Sequence, residues 1–369
     1  MAITINSDRI TIGSKNIVIV PNGIMIEHGT FYAPELSAGQ VRGVLGVQGT
    51  VAGYVVGGSA SPNSPLATGA QTIERYPFAT DTNATQLPGV LYQDGTPGGG
   101  WRAINSAVSS STYGYHFGGN AQPANSSLDT IGRFPFANSW STGSNVGTLT
   151  SPRERNPASA STQNYGYAFG GLDGSLPGGG QSVTKIERFP FTAETTNSTL
   201  VGALTRSAMW GTIAQTADKA YHSCGQVTSG ASDYFERYAL ASEFGNSLLI
   251  GNFPIGTYAA TGHSSTTSGY HIGGIRGGGF NPDRTSYIYK YPFATEVISN
   301  IGSVPTVRIY GSGSSSTVSG YIAGGSNSAP PGVPTLGNTI VKFPFATDTT
   351  YTSVGTLSRE RLGSGGAQY

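Results

Sequence analysis

Three pieces decide how this chain is read: Gly166-Tyr167-Ala168-Phe169-Gly170-Gly171, then Ile186-Glu187-Arg188-Phe189-Pro190-Phe191, then Val201-Gly202-Ala203-Leu204. Each piece recurs. Tyr-x-x-Gly-Gly stands at Tyr54–Gly58, Tyr115–Gly119, Tyr167–Gly171, Tyr270–Gly274 and Tyr321–Gly325. A degraded copy, Tyr221-His222-Ser223-Cys224-Gly225, fills the gap, and successive tyrosines lie 61, 52, 54, 49 and 51 residues apart. After each comes a basic residue and an aromatic: Arg75-Tyr76-Pro77-Phe78, Arg133-Phe134-Pro135-Phe136, Arg188-Phe189-Pro190-Phe191, Arg237-Tyr238-Ala239-Leu240, Lys290-Tyr291-Pro292-Phe293 and Lys342-Phe343-Pro344-Phe345. An apolar-Gly-x-apolar run follows, as in Val146-Gly147-Thr148-Leu149 and Val354-Gly355-Thr356-Leu357; the first repeat has the variant Pro88-Gly89-Val90-Leu91. Small residues such as Ala107-Val108-Ser109-Ser110-Ser111 precede the tyrosine.

Each repeat thus supplies four short strands. In Tyr115-His116-Phe117 the aromatics are two apart and share a face of a strand. The Gly-Gly pair fits a strand end where the backbone turns tightly. Proline cannot donate to a ladder, so Phe-Pro-Phe belongs at a strand end or bulge. Small first-strand residues suit the crowded centre of a ring. Four strands per repeat and six repeats predict an all-β, six-bladed β-propeller over residues 41–369, whose closure leaves only short sheet edges. Either Arg361–Tyr369 or Arg42–Val47 could complete the ring. If both are used, residues 3–33 would form a seventh blade. Residues 1–40 lack every repeat motif. They carry four β-branched runs, Ile3-Thr4-Ile5, Ile10-Thr11-Ile12, Ile17-Val18-Ile19-Val20 and Ile24-Met25-Ile26, and read as a short β arm for attachment or as that divergent blade.

Composition narrows the function. Charged residues make up 11% of 369 and the formal net charge is +1, with no basic cluster, which argues against a nucleic-acid ligand. Cys224 is the sole cysteine, so neither a disulfide framework nor a cysteine zinc site is expected. No apolar run is long enough for a membrane helix. The start, Met1-Ala2-Ile3-Thr4, does not read as a signal peptide, so synthesis in the cytoplasm is expected.

Gly-Tyr-x-x-Gly-Gly, Ile-Glu-Arg-Phe-Pro-Phe and Val-Gly-x-Leu with an Arg soon after resemble the kelch-like propeller proteins of tailed phages, especially those of marine bacteria and cyanobacteria. The resemblance covers residues 42–369. It implies a virion protein, made in the host cytoplasm: a tail- or head-fibre tip or a capsid decoration. Such a protein would meet other virion proteins through residues 1–40 and present a propeller face to host-surface glycan or to a virion subunit. A propeller enzyme acting on polysaccharide and a purely structural decoration are the alternatives. The fourth repeat departs from the pattern, with Cys224 for Gly and Ala239-Leu240 for Pro-Phe.

No catalytic residue, metal site or cofactor is expected. Kelch-type copper oxidases use a cross-linked cysteine, but Cys224 occupies a repeat glycine position. His116, His222 and His271 recur through one repeat position, and Glu74, Glu187 and Glu236 through another. The basic residue of each repeat reads as structural, its stem on an aromatic and its head on carbonyls of the next blade. Asp81 and Asp348 read as turn formers. Loops joining second to third strands share a face with the blade-to-blade linkers. That face should gather Trp101, Trp210, Arg276, Phe280, Asp283 and Arg284, and these are the candidate ligand-binding residues.

Overall fold

A computed structural model describes residues 3–6, 9–12, 15–20, 23–27, 48–59, 71–91, 101–103, 105–122, 126–136, 143–155, 157–176, 180–191, 197–227, 230–240, 244–277, 283–326, 336–348 and 351–369. These residues are all-β, in several antiparallel sheets. The chain divides into two compact units, Met1–Leu45 and Gly46–Tyr369. In the first, the four β-branched runs become strands Ile3–Asn6, Arg9–Ile12, Lys15–Val20 and Gly23–Glu27, paired antiparallel in chain order. The register lines up Ile5, Ile10, Ile17 and Ile26 across all four.

Among the described residues the second unit holds seven sheets: six are built on four principal strands, and the seventh is the short set Thr257–Tyr258, Ile275–Arg276 and Asp283–Arg284. Sheet I contains Gly365–Gln368, Ala52–Val56, Thr72–Pro77 and Thr85–Val90. Sheet II contains Ser106–Ser109, Tyr113–Phe117, Ser126–Pro135 and Ser144–Glu154, and is extended by short strands from neighbouring loops. Sheet III contains Ala158–Ser161, Tyr165–Phe169, Lys185–Pro190 and Thr199–Ala203. Sheet IV contains Thr212–Gln215, Lys219–Val227, Gly230–Ala239 and Leu248–Asn252. Sheet V contains Thr261–Ser264, Ser268–Ile272, Tyr287–Pro292 and Ser299–Ser303, and sheet VI Ser312–Ser315, Ser319–Ala323, Thr339–Pro344 and Thr352–Thr356. Of the two ends left open by the sequence, the C-terminal one supplies a first strand: Gly365–Gln368 pairs with Ala52–Val56 in sheet I.

The repeat motifs now have physical meanings. Pro77, Pro135, Pro190, Pro292 and Pro344 each end a third strand, where a missing N–H costs no ladder bond. The first glycine of each Gly-Gly pair is left-handed; at Gly170 (φ 62°) an added Cβ would also lie 2.3 Å from the Ala208 carbonyl oxygen. At the third-to-fourth pairing every sheet slips register at the same place, for example between Ile186 and Glu187 or between Ile288 and Tyr289.

Sheets are joined in succession by aromatic side chains. The motif tyrosine of each sheet packs on the aromatics of the next sheet's third strand and its end: Tyr54 on Phe136 (4.8 Å between centroids), Tyr115 on Phe191 (4.7 Å), Tyr167 on Tyr238 (6.2 Å), Tyr221 on Phe293 (5.1 Å), Tyr270 on Phe345 (5.2 Å) and Tyr321 on Phe78 (4.7 Å). The last of these returns from sheet VI to sheet I. Each such tyrosine is essentially buried. Burial of a side chain this large is worth about 2–3 kcal/mol, and the ring pairing about 0.5–1.5 kcal/mol more.

First strands also bond to one another at their C-terminal ends. The N–H of Ser161 donates to Gln215 Oε1 (2.9 Å), that of Gln215 to Ser264 Oγ (2.8 Å), and that of Ser264 to Ser315 Oγ (3.1 Å). The N–H of Ser315 donates to Gln368 Oε1 (2.6 Å), and that of Gln368 to Ser109 Oγ (2.8 Å). Sheets II and III are tied by Ser159 Oγ donating to the Ala107 carbonyl (3.0 Å). The small residues of these strands permit the approach: a Cβ on Gly366 would lie 2.0 Å from the Gly313 carbonyl oxygen.

Candidate functional site

At the opposite ends of the first strands a second series of hydrogen bonds runs from sheet to sheet. The N–H of Trp210 donates to the Arg155 carbonyl, Ala259 to Trp210, Tyr310 to Ala259 and Gly363 to Tyr310, each at 2.9 Å. Each donor or acceptor precedes its first strand by two or three residues, and all five are left-handed, with φ between 53° and 63°. Left-handed backbone is uncommon outside glycine, and such outliers gather where surroundings over-determine them. Here each residue must turn its N–H and C=O sideways toward its neighbours. Its side chain is thereby fixed beside the mouth between the first strands.

Three aromatics meet there. Trp210 stacks on Tyr258 (5.7 Å, 25° between planes) and meets Tyr310 edge-on (5.6 Å). The Arg155 guanidinium lies 4.9 Å from the Trp210 ring centroid. Arg284 is close enough for its charge to act on both Tyr258 and Tyr310, although burial dominates and raises both phenols above their ordinary value. Ile275 and Ile309 pack beneath. Trp210 and Tyr310 are half-buried, while Tyr258 is buried. The cluster is a supported aromatic rim with two cations.

Between the first strands of all six sheets lies a cavity of about 170 Å³. Its lining includes serine and threonine residues, glycine and alanine, Asn105, Gln215, Gln368 and His263, with Val108, Pro157 and Ile213, and without an Asp, Glu, Lys or Arg. Burial pushes His263 down to about 4, so its ring is neutral at pH 7. At the Ser/Gln end the chain enters the second unit: Gln48 Nε2 donates to the Ser264 carbonyl (2.9 Å), and the Gly49 N–H to that of Ser315 (2.8 Å).

The residues expected from sequence distribute as follows. Trp210 is in the rim, and Arg284 stands beside it. Arg276 and Asp283 form an exposed ion pair (2.7 Å) across the hairpin Ile275–Arg276/Asp283–Arg284. Trp101 belongs to strand Trp101–Ala103, its backbone opposite Gln122. Phe280 lies outside the described residues. Sequence reading missed Tyr258, Tyr310 and Arg155. The signal available for them was position: each falls in the linker just ahead of a first strand, as Trp210 does.

The repeated charges serve the scaffold, but not as stem-on-aromatic and head-on-carbonyl. In sheets II and III it is the guanidinium that lies over an aromatic ring: Arg133 over Tyr113 (4.6 Å) and Arg188 over Tyr165 (4.3 Å). In sheets IV, V and VI, however, the heads go to carboxylates of the next sheet rather than to carbonyls. Arg237 pairs with Glu296 (2.5 Å), Lys290 with Asp348, and Lys342 with Asp81 (2.7 Å). The motif tyrosines donate to the same acids, Tyr270 to Asp348 at 2.8 Å. Asp81 and Asp348 are left-handed turn residues as well, so the turn reading was incomplete rather than wrong. A carboxylate offers a full charge to two donors at once, which a carbonyl cannot.

Deeper, Glu74 and Glu187 are fully buried against Arg361 and Arg153, whose guanidinium groups also donate to the Gly57 (2.9 Å) and Gly170 (2.5 Å) carbonyls. Glu236 is held by Thr205 and Ser247. His271 lies between Ser223 (2.9 Å) and Thr257 (2.7 Å). Among the described residues no group of three or more His, Cys, Asp or Glu side chains is placed to hold a metal ion. Compared with known proteins, the chain matches no family model and no curated sequence.

Proposed function

We propose that the six sheets are the blades of a closed, kelch-like β-propeller, and that the protein is a virion component of a tailed phage which presents one propeller face to host-surface glycan. Two features support the ring. Each sheet's tyrosine engages the next sheet, VI to I included, and hydrogen bonds link the first strands in the same order. The virion setting rests on the sequence resemblance. Residues 1–40 would join the chain to other virion proteins.

The observation that carries the binding role is the rim of Trp210, Tyr258 and Tyr310, with Arg155 and Arg284, set at one mouth of a neutral, hydroxyl-lined cavity. Aromatic faces and convergent polar groups are what carbohydrate recognition uses. Gln48 packs at the other mouth, on the Ser264 carbonyl. Buried acids are engaged within the scaffold, which favours binding over polysaccharide cleavage.

Intact particles provide the test. An antibody to this chain is expected to label fibre tips or the capsid surface, and the purified protein to compete with particles for adsorption to host cells. Trp210→Ala should weaken that competition at least tenfold. Absence of the chain from purified particles would refute the virion assignment.

A further inference from the structure

Two buried polar side chains on the cavity wall have no use in the scaffold. Asn105 is fully buried, and neither its amide oxygen nor its nitrogen has a hydrogen-bond partner. Ser364 is 3% exposed, and its Oγ is likewise unpartnered. Both line the cavity, and each stands immediately before a first strand: Asn105 in sheet II, Ser364 in sheet I. Those two strands are in close contact, since a Cβ on Gly365 would lie 2.8 Å from Ala107 Cβ. Asn105 and Ser364 therefore hold the same position ahead of adjacent first strands, at one level of the wall. The corresponding positions in sheets III to VI are Pro157, Gly211, Ala260 and Gly311, none of which carries a polar side chain.

An unsatisfied buried polar group costs about 1–3 kcal/mol, so two together call for a reason. We propose that the cavity is a binding site for one neutral polyhydroxylated ring, a hexose or a terminal hexose unit of a glycan, with Asn105 and Ser364 as its principal hydrogen-bonding residues. An amide presents donors and an acceptor side by side, and a serine presents one of each. Vicinal hydroxyls offer the complementary set. Without an ionised group on the wall, a charged ligand would be buried unpaired, which selects a neutral one. The space corresponds to about five or six waters at roughly 30 Å³ each, the size of a single sugar ring. The aromatic rim stands at the mouth on the side of Asn105 and Ser364. This deepens the glycan-binding reading and rests on it.

Saturation-transfer NMR on the full chain tests the site, with free glucose, galactose and mannose as probes and an oligosaccharide from the host surface as a second arm. At least one free hexose should receive transfer, and its affinity should fall tenfold or more in Asn105→Ala and measurably in Ser364→Ala. Transfer to the oligosaccharide alone, lost in both variants, would also support the site and identify a glycan terminus as the source. Neither variant should melt below the wild type, because each removes an unpaired polar group; a purely structural role for Asn105 predicts a lower melting temperature and unchanged binding. No transfer to any probe, or wild-type binding in both variants, would overturn the site. If particles carry the chain and the protein still competes for adsorption while no probe binds, this inference falls and the virion reading stands. Hexose binding by a chain absent from particles gives the opposite division.

Discussion

Cys224 has φ 60°, where the other five repeats have glycine between 61° and 70°. The sequence marked it as a glycine substitute, and its buried thiol, pushed up to about 12 by desolvation, is a packing group and not a nucleophile. Two histidines carry more of the pH response. Burial lowers His263 to about 4 and His271 to about 3. In the unfolded chain both would titrate near about 6.5. Below that value the unfolded state binds the extra protons, so stability is full above pH 6.5 and is lost as pH falls toward the folded values. Between pH 7 and 5, where carboxylates stay largely ionised, His263 alone should cost about 2 kcal/mol. Urea midpoints across that window are expected to fall in the wild type and to fall less steeply in His263→Asn. A slope unchanged by the substitution would contradict the neutral buried imidazole. That these rings are buried was not readable from sequence, because a histidine on an alternating strand looks the same on either face.

Between elements, two charged contacts join consecutive sheets. One lies near the surface, the Tyr–basic pair reaching an acid in the next sheet's turn. Its acid stands three residues past the last residue of the second motif, at Asp81, Glu296 and Asp348, and the sequence has Glu194 and Glu243 at corresponding places. The offset was legible; the partnership was not, because it joins residues of different repeats 58 or more positions apart. The other contact is buried and irregular. Sheet VI has Val341 where sheet I has Glu74, and Arg308 there bonds only carbonyls, Gly324 at 2.8 Å and Thr339 at 3.5 Å. Arg361→Met would strand Glu74 in the interior and should lower stability by about 3–5 kcal/mol. Adding Glu74→Val is expected to recover most of that loss, as a double-mutant cycle in urea would measure. Equal losses in the single and double variants would mean that the guanidinium's bonds to Gly57 and Thr72 matter more than the pair.

For the whole molecule, the all-β class and the proline positions were legible, because each follows from a local backbone rule repeated along the chain; the extra short strands in the linkers, such as Ile275–Arg276 and Asp283–Arg284, were not. The rim was only partly legible. Trp210, Tyr258 and Tyr310 come from separate linkers, and only the succession of first strands brings them together. Deleting residues 365–369 should remove the hydrogen bonds to Ala52–Val56, Ser315 and Ser109 at once. We expect the truncated chain to lose its single sharp thermal transition, or to melt at least ten degrees lower. An unchanged melting curve would argue against the proposed closure of the ring.

The pairing of Gly365–Gln368 with Ala52–Val56 spans some three hundred residues. While the ribosome is still producing the intervening chain, Ala52–Val56 has an open flank. Newly made strands of this kind are adhesive. Sheets II to VI can mature as they emerge, yet sheet I, translated ahead of them, is finished after them. Slow elongation or crowded synthesis therefore exposes this protein to mispairing with its own siblings, and a holding chaperone would be most useful at Ala52–Val56.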